Sequence, residues 1–206
     1  MDKGLFITFE GIDGCGKSTQ IALTESYCKS KGRETLIIRE PGGTTVGEKI
    51  RTILLDKKND SMVPMSELLL YEAARAQIVE EKIVPALEAG MVVICDRFFD
   101  STAAYQGYAR GLGPELIDEL NNIATSGRSP DITFYLDLSP EQALKRRLGR
   151  GEEEDRLEAL GLSFQEKVRD GYLKWAEGRD RIKIIDASVS PEEISDKVIS
   201  WLSRIS

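Results

Sequence analysis

A glycine-rich segment near the amino terminus has the residue types and spacing of a phosphate-binding loop. It reads GIDGCGKS, with an apolar run before it and a helical pattern after it. Glycine allows backbone conformations that a Cβ would obstruct, so successive amide groups can turn toward an anion. Lysine at this spacing reaches the β- and γ-phosphates, and the serine that follows is a ligand for Mg²⁺. The segment therefore predicts a triphosphate site made of Gly11, Ile12, Asp13, Gly14, Cys15, Gly16, Lys17, Ser18 and Thr19. The alternative, a glycine-rich turn with a chance lysine, is disfavoured by this context.

A second run of residues places a carboxylate beside this loop. MVVICD is a short apolar stretch that ends at Asp96. As the last residue of a buried parallel strand, Asp96 would emerge at the carboxyl edge of the sheet, where open α/β sheets bind ligands. There it would hold the metal with Ser18, directly or through water, or alternatively cap the segment that follows. The sequence has no NKxD motif, which argues against a regulatory GTPase.

Five apolar stretches alternate with segments of helical spacing. The stretches begin at Gly4, Glu34, Met91, Asp131 and Arg181. The helical segments cover 18–31, 65–87, 115–124, 141–148, 163–175 and the positions after 191. Such alternation is typical of right-handed crossovers between parallel strands. We therefore expect an α/β protein with the three-layer P-loop kinase fold: a five-stranded parallel sheet with helices on both faces, in a single domain over residues 1–206.

Two polar segments stand apart from this pattern. The stretch 56–64 ends in a proline and predicts a loop that leads into the long helix. The stretch 146–158 reads RRLGRGEEEDRLE and is interrupted by Gly149 and Gly151. Because it has few apolar side chains to bury, we expect it to form a mobile lid.

Composition and charge exclude several classes of protein. The net charge of −7 is opposite in sign to the field that binds nucleic acid, so we expect no nucleic-acid partner. No apolar run is long enough to cross a membrane, and no leader is evident, so we expect a cytoplasmic protein without a membrane partner. The three cysteines lack the spacing of a zinc site. The chain has no histidine, which removes the usual general base.

Five separated motifs resemble those of the thymidylate kinase family, specifically its bacterial members. They are FEGIDGCGKSTQ, REPGGTTVGEKIR, YEAARAQ, DRFFDSTAAYQG and the charged lid. Together they run along essentially the entire chain. The resemblance implies transfer of the γ-phosphoryl group of ATP to dTMP, giving dTDP and ADP. It also implies Mg²⁺ as cofactor, ATP and dTMP as the small-molecule partners, and assembly as a homodimer.

Residues of the predicted long helix resemble the family's base-binding pair. Tyr71 and Arg75 are four residues apart and therefore share one face of a helix. In the family the corresponding aromatic ring stacks on thymine and the corresponding arginine donates to a base carbonyl. Without the resemblance, the residues themselves favour Tyr71 in the core and Arg75 paired with Glu72 or Glu67.

The resemblance also assigns groups to the acceptor's phosphate and sugar. Arg51 and Arg97 look like the family's clamps on the acceptor phosphate, for which a planar, permanently charged donor is suited; surface salt bridges are the alternative. Asp13 is similar to the acidic residue that the family places near the acceptor's sugar and the metal. Tyr105 would lie near the sugar's 2′ position, where bulk disfavours ribonucleotides. The implied acceptor pocket also includes Glu40, Pro41, Ser101, Thr102 and Gln106.

The transferred group needs a cation for the charge that develops on its oxygens. Some relatives supply an arginine from the phosphate loop, but the corresponding positions here are Gly14 and Cys15. The chain thus resembles the subtype with a catalytic arginine in the lid, and we favour Arg150 over Arg156 for that role. The alternative is a solvated run of charge. The other catalytic residues that the resemblance implies are Lys17, Arg97 and Asp13.

Two positions raise further questions. Ala74 stands where many members have aspartate, so another group must orient Arg75. Cys15 lies among inward-facing amides at a helix start, which lowers the pKa of a thiol, so one hypothesis is that its oxidation or alkylation blocks ATP binding. The alternative, which the residues favour, is a small side chain tolerated because only its backbone is used. The competing functions are another small P-loop kinase, with a deoxynucleoside or another nucleoside monophosphate as acceptor, and a module that senses ATP without turnover.

Overall fold

The computed structural model describes residues 3–149 and 154–205. Its five strands form one parallel sheet in the order β2-β3-β1-β4-β5. The strands are β1 Leu5–Glu10, β2 Thr35–Arg39, β3 Val92–Asp96, β4 Ile132–Asp137 and β5 Ile182–Asp186. All five coincide with the apolar stretches of the sequence, so the predicted sheet is confirmed. In the register of the central pair, Phe9 of β1 lies opposite Asp96 of β3, which brings the ends of both strands to one edge.

Helices cover the sheet on both sides. The α-helices of the described residues are α1 Lys17–Ser30, α2 Thr45–Leu55, α3 Pro64–Ile78, α4 Val84–Glu88, α5 Phe99–Thr102, α6 Pro114–Ala124, α7 Pro140–Leu148, α8 Leu162–Ala176 and α9 Pro191–Leu202. A π-helical segment, Val79–Ile83, joins α3 to α4, and a second one, Ala103–Ala109, follows α5. The long predicted helix over 65–87 is thus continuous but changes its winding. None of these helices is long and apolar enough to span a membrane.

Alternate strand residues supply two separate apolar clusters. In β1, Ile7 packs with residues of α1, α8 and α9, whereas its neighbour Phe6 packs with Ile78 and Val79. In β3, Ile94 belongs to the first cluster and Val93 to the second. Because successive strand residues point to opposite faces, the two clusters lie on opposite sides of the sheet. The three-layer expectation is therefore confirmed.

Helix α2 has no counterpart among the predicted helices. Thr44 caps it, since Thr44 Oγ1 accepts a hydrogen bond from the Gly47 amide at 2.9 Å. A Cβ at Gly47 would lie only 2.8 Å from the carbonyl oxygen of Gly42. Glycine within a helix lowers helical stability, so the local sequence pattern underestimates the tendency of this segment to form a helix. Close packing against the 42–43 turn nevertheless requires glycine at position 47.

A buried carboxylate fixes the short helix that carries part of the site. Asp100 in α5 accepts hydrogen bonds from Trp175 Nε1 at 2.7 Å and from Arg181 Nη2 at 2.6 Å. These donors come from α8 and from the residue before β5. Charge-assisted bonds to a buried group are strong, so α5 is held firmly at the carboxyl edge of the sheet.

Candidate active site

A cleft of about 500 Å³ opens at the carboxyl edge of β1, β2 and β3. This main cleft collects most of the predicted residues: Asp13, Gly14, Gly16, Lys17, Ser18, Thr19, Glu40, Pro41, Arg51, Tyr71, Arg75, Asp96, Arg97, Ser101, Thr102, Tyr105 and Gln106. Among predicted residues that the structure describes, those outside the lining are Gly11, Ile12, Cys15 and Arg156. Arg150 lies outside the described residues. Residues far apart in sequence thus converge on one cleft.

The phosphate loop joins β1 to α1 and has the backbone that an anion site needs. Gly11, Gly14 and Gly16 have φ angles of 134°, 92° and 105°, a region that side chains rarely adopt. Lys17 Nζ donates to the carbonyl oxygen of Gly11 at 3.0 Å and to Asp13 Oδ1 at 3.2 Å. Because α1 starts at Lys17, the positive end of its dipole faces the loop.

Arg97 joins the end of β3 to this loop. Its Nη2 donates to Asp13 Oδ1 at 2.8 Å, and its Nη1 donates to Ser101 Oγ at 3.2 Å and to the Tyr172 hydroxyl at 3.3 Å. Its φ of 68° is unusual for a residue other than glycine. Burial raises the pKa of Asp13, but Arg97 and Lys17 outweigh burial and hold this pKa well below its usual range. Asp13 is therefore ionised between two cations.

Glu10 is a residue of this site that sequence reasoning missed. It is fully buried at the end of β1, and it accepts hydrogen bonds from the Phe98 amide at 2.7 Å, Ser101 Oγ at 2.5 Å and the Tyr172 hydroxyl at 2.9 Å. Burial, with Asp100 nearby, raises the pKa of Glu10 to about 7. A charged residue at the end of an otherwise apolar strand is the signal that could have revealed it.

Arg75 lies fully buried at the far end of the main cleft. All three of its nitrogens contact described residues, and Nη2 also lies 2.8 Å from Glu40 Oε2. The acceptors are Glu40 Oε2 at 2.9 Å, Glu72 Oε1 at 2.8 Å, Asn121 Oδ1 at 3.2 Å and Thr102 Oγ1 at 3.0 Å. These groups orient Arg75 in place of the aspartate that is absent at Ala74. Arg75 therefore both pairs with Glu72, which was the alternative given above, and lines the cleft.

Glu40 links Arg75 to the turn after β2. Burial, with Glu72 nearby, raises the pKa of Glu40 to about 7 even though Arg75 opposes this shift. The peptide bond between Glu40 and Pro41 is cis, and Arg51 Nη1 donates to the Pro41 carbonyl oxygen at 3.0 Å. Arg39 donates to the same oxygen at 3.0 Å. Two guanidinium groups therefore lie side by side on this wall of the cleft.

Asp96 and Ser18 have the chemistry of a small magnesium site. Asp96 Oδ1 is buried and has no hydrogen-bond partner among the described residues. Ser18 is exposed and lines the same cleft. The described residues contain no cluster of three side chains that could hold a metal by themselves. Mg²⁺ fits such a site because it takes one or two protein oxygens and completes its shell with phosphate and water.

The two lid arginines have different positions. Arg150 lies outside the described residues, whereas Arg156 is buried against α2 and α3. Arg156 Nε donates to the Leu54 carbonyl oxygen at 2.7 Å, and Arg156 Nη2 lies 2.6 Å from Glu67 Oε2. A catalytic role for Arg156 would require it to leave both partners. In this arrangement Arg156 is outside the cleft lining, to which its neighbours Asp155, Leu157 and Glu158 belong.

A second hollow of about 520 Å³ adjoins the phosphate loop. It shares Gly14, Gly16 and Thr19 with the main cleft, and sequence reasoning missed its outer wall. That wall consists of Lys145, Arg146, Gly149, Val189, Pro191 and Ile194. These residues come from the end of α7 and from the start of α9 and the loop before it. No local sequence pattern predicts that these two segments lie close together.

The lowered thiol pKa on which the hypothesis of a reactive Cys15 depends is contradicted by the structure, which agrees with the alternative. The side chain is fully buried, and its Sγ packs against Gly11 so closely that a Cβ on Gly11 would lie only 2.8 Å from it. Burial raises the pKa of Cys15, and the nearby cations Lys17 and Arg97 do not offset this effect. The thiol thus points into the protein core while the loop's amides provide the anion site.

Comparison with known proteins agrees with this geometry. The family model described as thymidylate kinase matches residues 9–198. The chain belongs to the thymidylate kinase family. A thymidylate kinase from Caldanaerobacter subterraneus subsp. tengcongensis is 57% identical over 84% of this chain and 81% of the relative. One from Chlorobaculum tepidum is 52% identical over 98% of both chains.

A solved structure extends the family assignment to the fold. The crystal structure of thymidylate kinase from Ehrlichia chaffeensis has a TM-score of 0.80 and 34% identity, covering 97% of this chain and 99% of that one. The thymidylate kinase resemblance and the P-loop kinase fold that the motifs predict are therefore both confirmed.

Proposed function

We propose that this chain transfers the γ-phosphoryl group of ATP to dTMP, giving dTDP and ADP. The observation that carries the proposal is the continuity of the main cleft, which runs from Lys17 to Tyr71 and Arg75 with Arg97 between them. A donor at the phosphate loop and an acceptor on α3 would meet end to end in this cleft. Membership of the thymidylate kinase family supports the choice of dTMP as acceptor.

The donor would occupy both hollows. Its phosphates lie on the loop from Gly11 to Thr19, where amides and the start of α1 supply positive potential. Lys17 then exchanges the carbonyl oxygen of Gly11 for phosphate oxygens. The adenine ring enters the second hollow, where the Arg146 guanidinium offers a flat cationic surface. Position and charge thus favour a triphosphate with its γ-phosphate aimed into the main cleft.

Ser18 and Asp96 would hold Mg²⁺, Ser18 through its hydroxyl and Asp96 directly or through water. The unpartnered Asp96 Oδ1 favours this role over a purely structural one. When bound, the ion neutralises charge on the β- and γ-phosphates.

The acceptor would be held at both ends. Arg97 and Arg51 clamp its phosphate, since a guanidinium fork donates two parallel hydrogen bonds to an anion. Tyr71 stacks on the pyrimidine, and Arg75 donates to a base carbonyl from Nη2, which would give up its contact with Thr102 or Glu40. Tyr105 packs beside the Arg97 guanidinium, 5.4 Å from ring centre to carbon, near the sugar. The other residues of the acceptor pocket are Asp13, Glu40, Pro41, Ser101, Thr102 and Gln106.

This reaction does not need histidine. The second pKa of a phosphate monoester is near 6, so the acceptor is mostly dianionic at neutral pH and requires no general base. Alignment and neutralisation of charge then lower the barrier. Lys17, Arg97 and Arg150 supply the cations, with Asp13 orienting Arg97. We keep Arg150 ahead of Arg156 because Arg156 is engaged with Glu67.

A homodimer is part of the proposal. Helices α2 and α3 pack side by side, as do α3 and α6, and all three expose apolar side chains. These are Val46, Ile53, Met65, Leu69 and Ile123, each at least 41% exposed. An apolar surface on adjacent helices fits a second copy of the chain. A cytoplasmic location, where both nucleotides are present, completes the proposal.

One assay separates the proposed function from its competitors. The chain is supplied with Mg-ATP and, in turn, dTMP, dUMP, UMP, AMP and thymidine, and the phosphorylated products are quantified. We expect dTDP as the dominant product. Phosphorylated thymidine, or a preference for another monophosphate, would instead indicate a different small kinase. Binding of ATP without any product would indicate a sensor.

A further inference from the structure

Glu67 is a fully buried carboxylate that lies outside the lining of the main cleft. Its Oε1 accepts a hydrogen bond from Gln106 Nε2 at 2.8 Å. Arg110 donates to both carboxylate oxygens, at 3.2 and 3.0 Å, and Arg156 Nη2 lies 2.6 Å from Oε2. Two separate segments, 106–110 and the lid, therefore converge on one acidic side chain of α3. The proposed phosphoryl transfer gives Glu67 no role.

The contact with Gln106 fixes which end of its amide faces the substrate. Burial raises the pKa of Glu67, but Arg110, Gln106 and Arg156 outweigh burial and lower this pKa below its usual value. An ionised carboxylate only accepts hydrogen bonds, so it must face the NH₂ of Gln106 and not its carbonyl. Gln106 itself lines the main cleft beside Arg75 and Thr102. The carbonyl Oε1 is the hydrogen-bond acceptor that Gln106 has left for a ligand there.

We propose that Glu67 is a specificity-determining positioning residue that holds Gln106 Oε1 toward the base as a hydrogen-bond acceptor. The inference rests on the proposed function, since it names how the same pocket selects its pyrimidine. Thymine carries a hydrogen on N3 and donates to such an acceptor. Cytosine has a lone pair on N3, which would face Gln106 Oε1 without a hydrogen between them. The buried amide therefore favours thymine over cytosine, because an unpaired acceptor in a dry site is costly.

A neutral amide at position 67 removes the constraint. In Glu67→Gln the new side chain has both a donor and an acceptor, so Gln106 is free to turn over and present its NH₂ to the cleft. This orientation opposes thymine N3–H and suits cytosine N3. With the C4 carbonyl of thymine as the one that Arg75 contacts, where cytosine carries an amino group, selectivity for thymine falls without disappearing. Uracil shares N3–H and the C4 carbonyl with thymine, so the preference between dTMP and dUMP should not change.

The test compares kcat/KM for dTMP, dCMP and dUMP in the wild type and in Glu67→Gln. We expect the ratio of dTMP to dCMP to fall about tenfold or more in the variant, the worth of one buried hydrogen bond. The ratio of dTMP to dUMP and the KM for ATP should stay within about twofold. An unchanged ratio of dTMP to dCMP would overturn the inference. If the wild type made no dTDP at all, the proposed function would fail instead.

Two matched variants separate positioning from packing. Glu67→Asp keeps a side chain that only accepts, so it should keep most of the discrimination against dCMP. Arg110→Met removes another partner of the same carboxylate but leaves the contact between Glu67 and Gln106. This variant should also keep the discrimination against dCMP. Loss of discrimination equally in all three variants would show a packing effect and contradict the inference.

A spectroscopic measurement covers the case in which Glu67→Gln does not fold. The side-chain NH₂ signals of Gln106 in the ¹⁵N spectrum of the wild type are assigned with Gln106→Leu. We expect these protons to be protected from exchange with water both before and after dTMP binds, because they stay on Glu67. Protection that appears only with dTMP would show that the amide turns toward the base, which contradicts the inference.

Discussion

Arg97 Nη2 lies 2.8 Å from Asp13 Oδ1, so the residue after β3 is tied directly to the phosphate loop. The other terminal nitrogen of Arg97 contacts Ser101 Oγ and the Tyr172 hydroxyl, both of which donate to Glu10. The guanidinium is thus held by groups on both sides, with its remaining surface in the main cleft. This relationship sets the position of the proposed acceptor-phosphate clamp relative to the phosphate loop.

The first prediction concerns Arg97. Arg97→Met removes a cation from the proposed acceptor-phosphate site and leaves Asp13 with Lys17 as its ion-pair partner among the described residues. We expect kcat/KM for dTMP to fall by about 10²- to 10³-fold, with a smaller change in the KM for ATP. Steady-state kinetics with each substrate varied in turn would measure both effects. Arg179→Met is the matched control. The Arg179 guanidinium lies 3.5 Å from the centre of the Trp175 ring and outside the cleft, so this variant should leave both constants unchanged.

The second prediction concerns pH. Burial raises the pKa of Glu10 and of Glu40 from 4.5 to about 7. Between these values the folded chain binds more protons than the unfolded chain, so the free energy of unfolding falls as pH rises from about 4.5 to 7. Each acid contributes about 3 kcal/mol. No histidine titrates in this window because the chain has none.

Urea unfolding at several pH values would measure this slope. Glu10→Gln should flatten it by about half, since one of the two acids no longer titrates. Glu115→Gln, at an exposed position of α6, should leave the slope as it is. Stability that rises with pH across this window would contradict the assignment of both raised pKa values.

The third prediction concerns the lid. We expect Arg150→Met to lower kcat by about 10²- to 10³-fold, since it removes a cation from the transferred group. Arg156→Met should lower kcat less than about tenfold and mainly reduce stability, because it leaves Glu67 with fewer partners. Arg128→Met, at an exposed position, is the control. The reverse order of effects on kcat would move the catalytic role to Arg156.

The fourth prediction concerns Cys15. Because its thiol is buried and its pKa is raised, iodoacetamide should not modify Cys15 in the folded chain, with or without Mg-ATP. Mass spectrometry after treatment would locate the modified cysteines. Labelling of Cys15 once urea is added would show that the reagent is competent. Rapid labelling of the folded chain that Mg-ATP prevents would restore the original hypothesis of a reactive thiol.

The parts of the molecule that sequence predicts are those with local causes. Each strand is a short apolar run, and the phosphate loop is a contiguous pattern of glycines. The orientation of Arg75 depends on Asn121, 46 positions away, and the second hollow depends on a contact between Gln20 and Pro191, 171 positions apart. No local sequence pattern predicts contacts between residues so far apart in the chain. The error at Cys15 has the same origin, since the loop's amides are local but the direction of the thiol is set by packing.

The proposed function requires donor and acceptor to lie end to end in one cleft. A single molecule in which adenosine and thymidine are joined through five phosphates should therefore occupy both sites at once. Inhibition kinetics with this compound, against varied ATP and then against varied dTMP, test the claim directly. We expect competitive inhibition against both substrates, with one molecule bound per chain. Competition with only one substrate, or simultaneous binding with dTMP, would contradict the account.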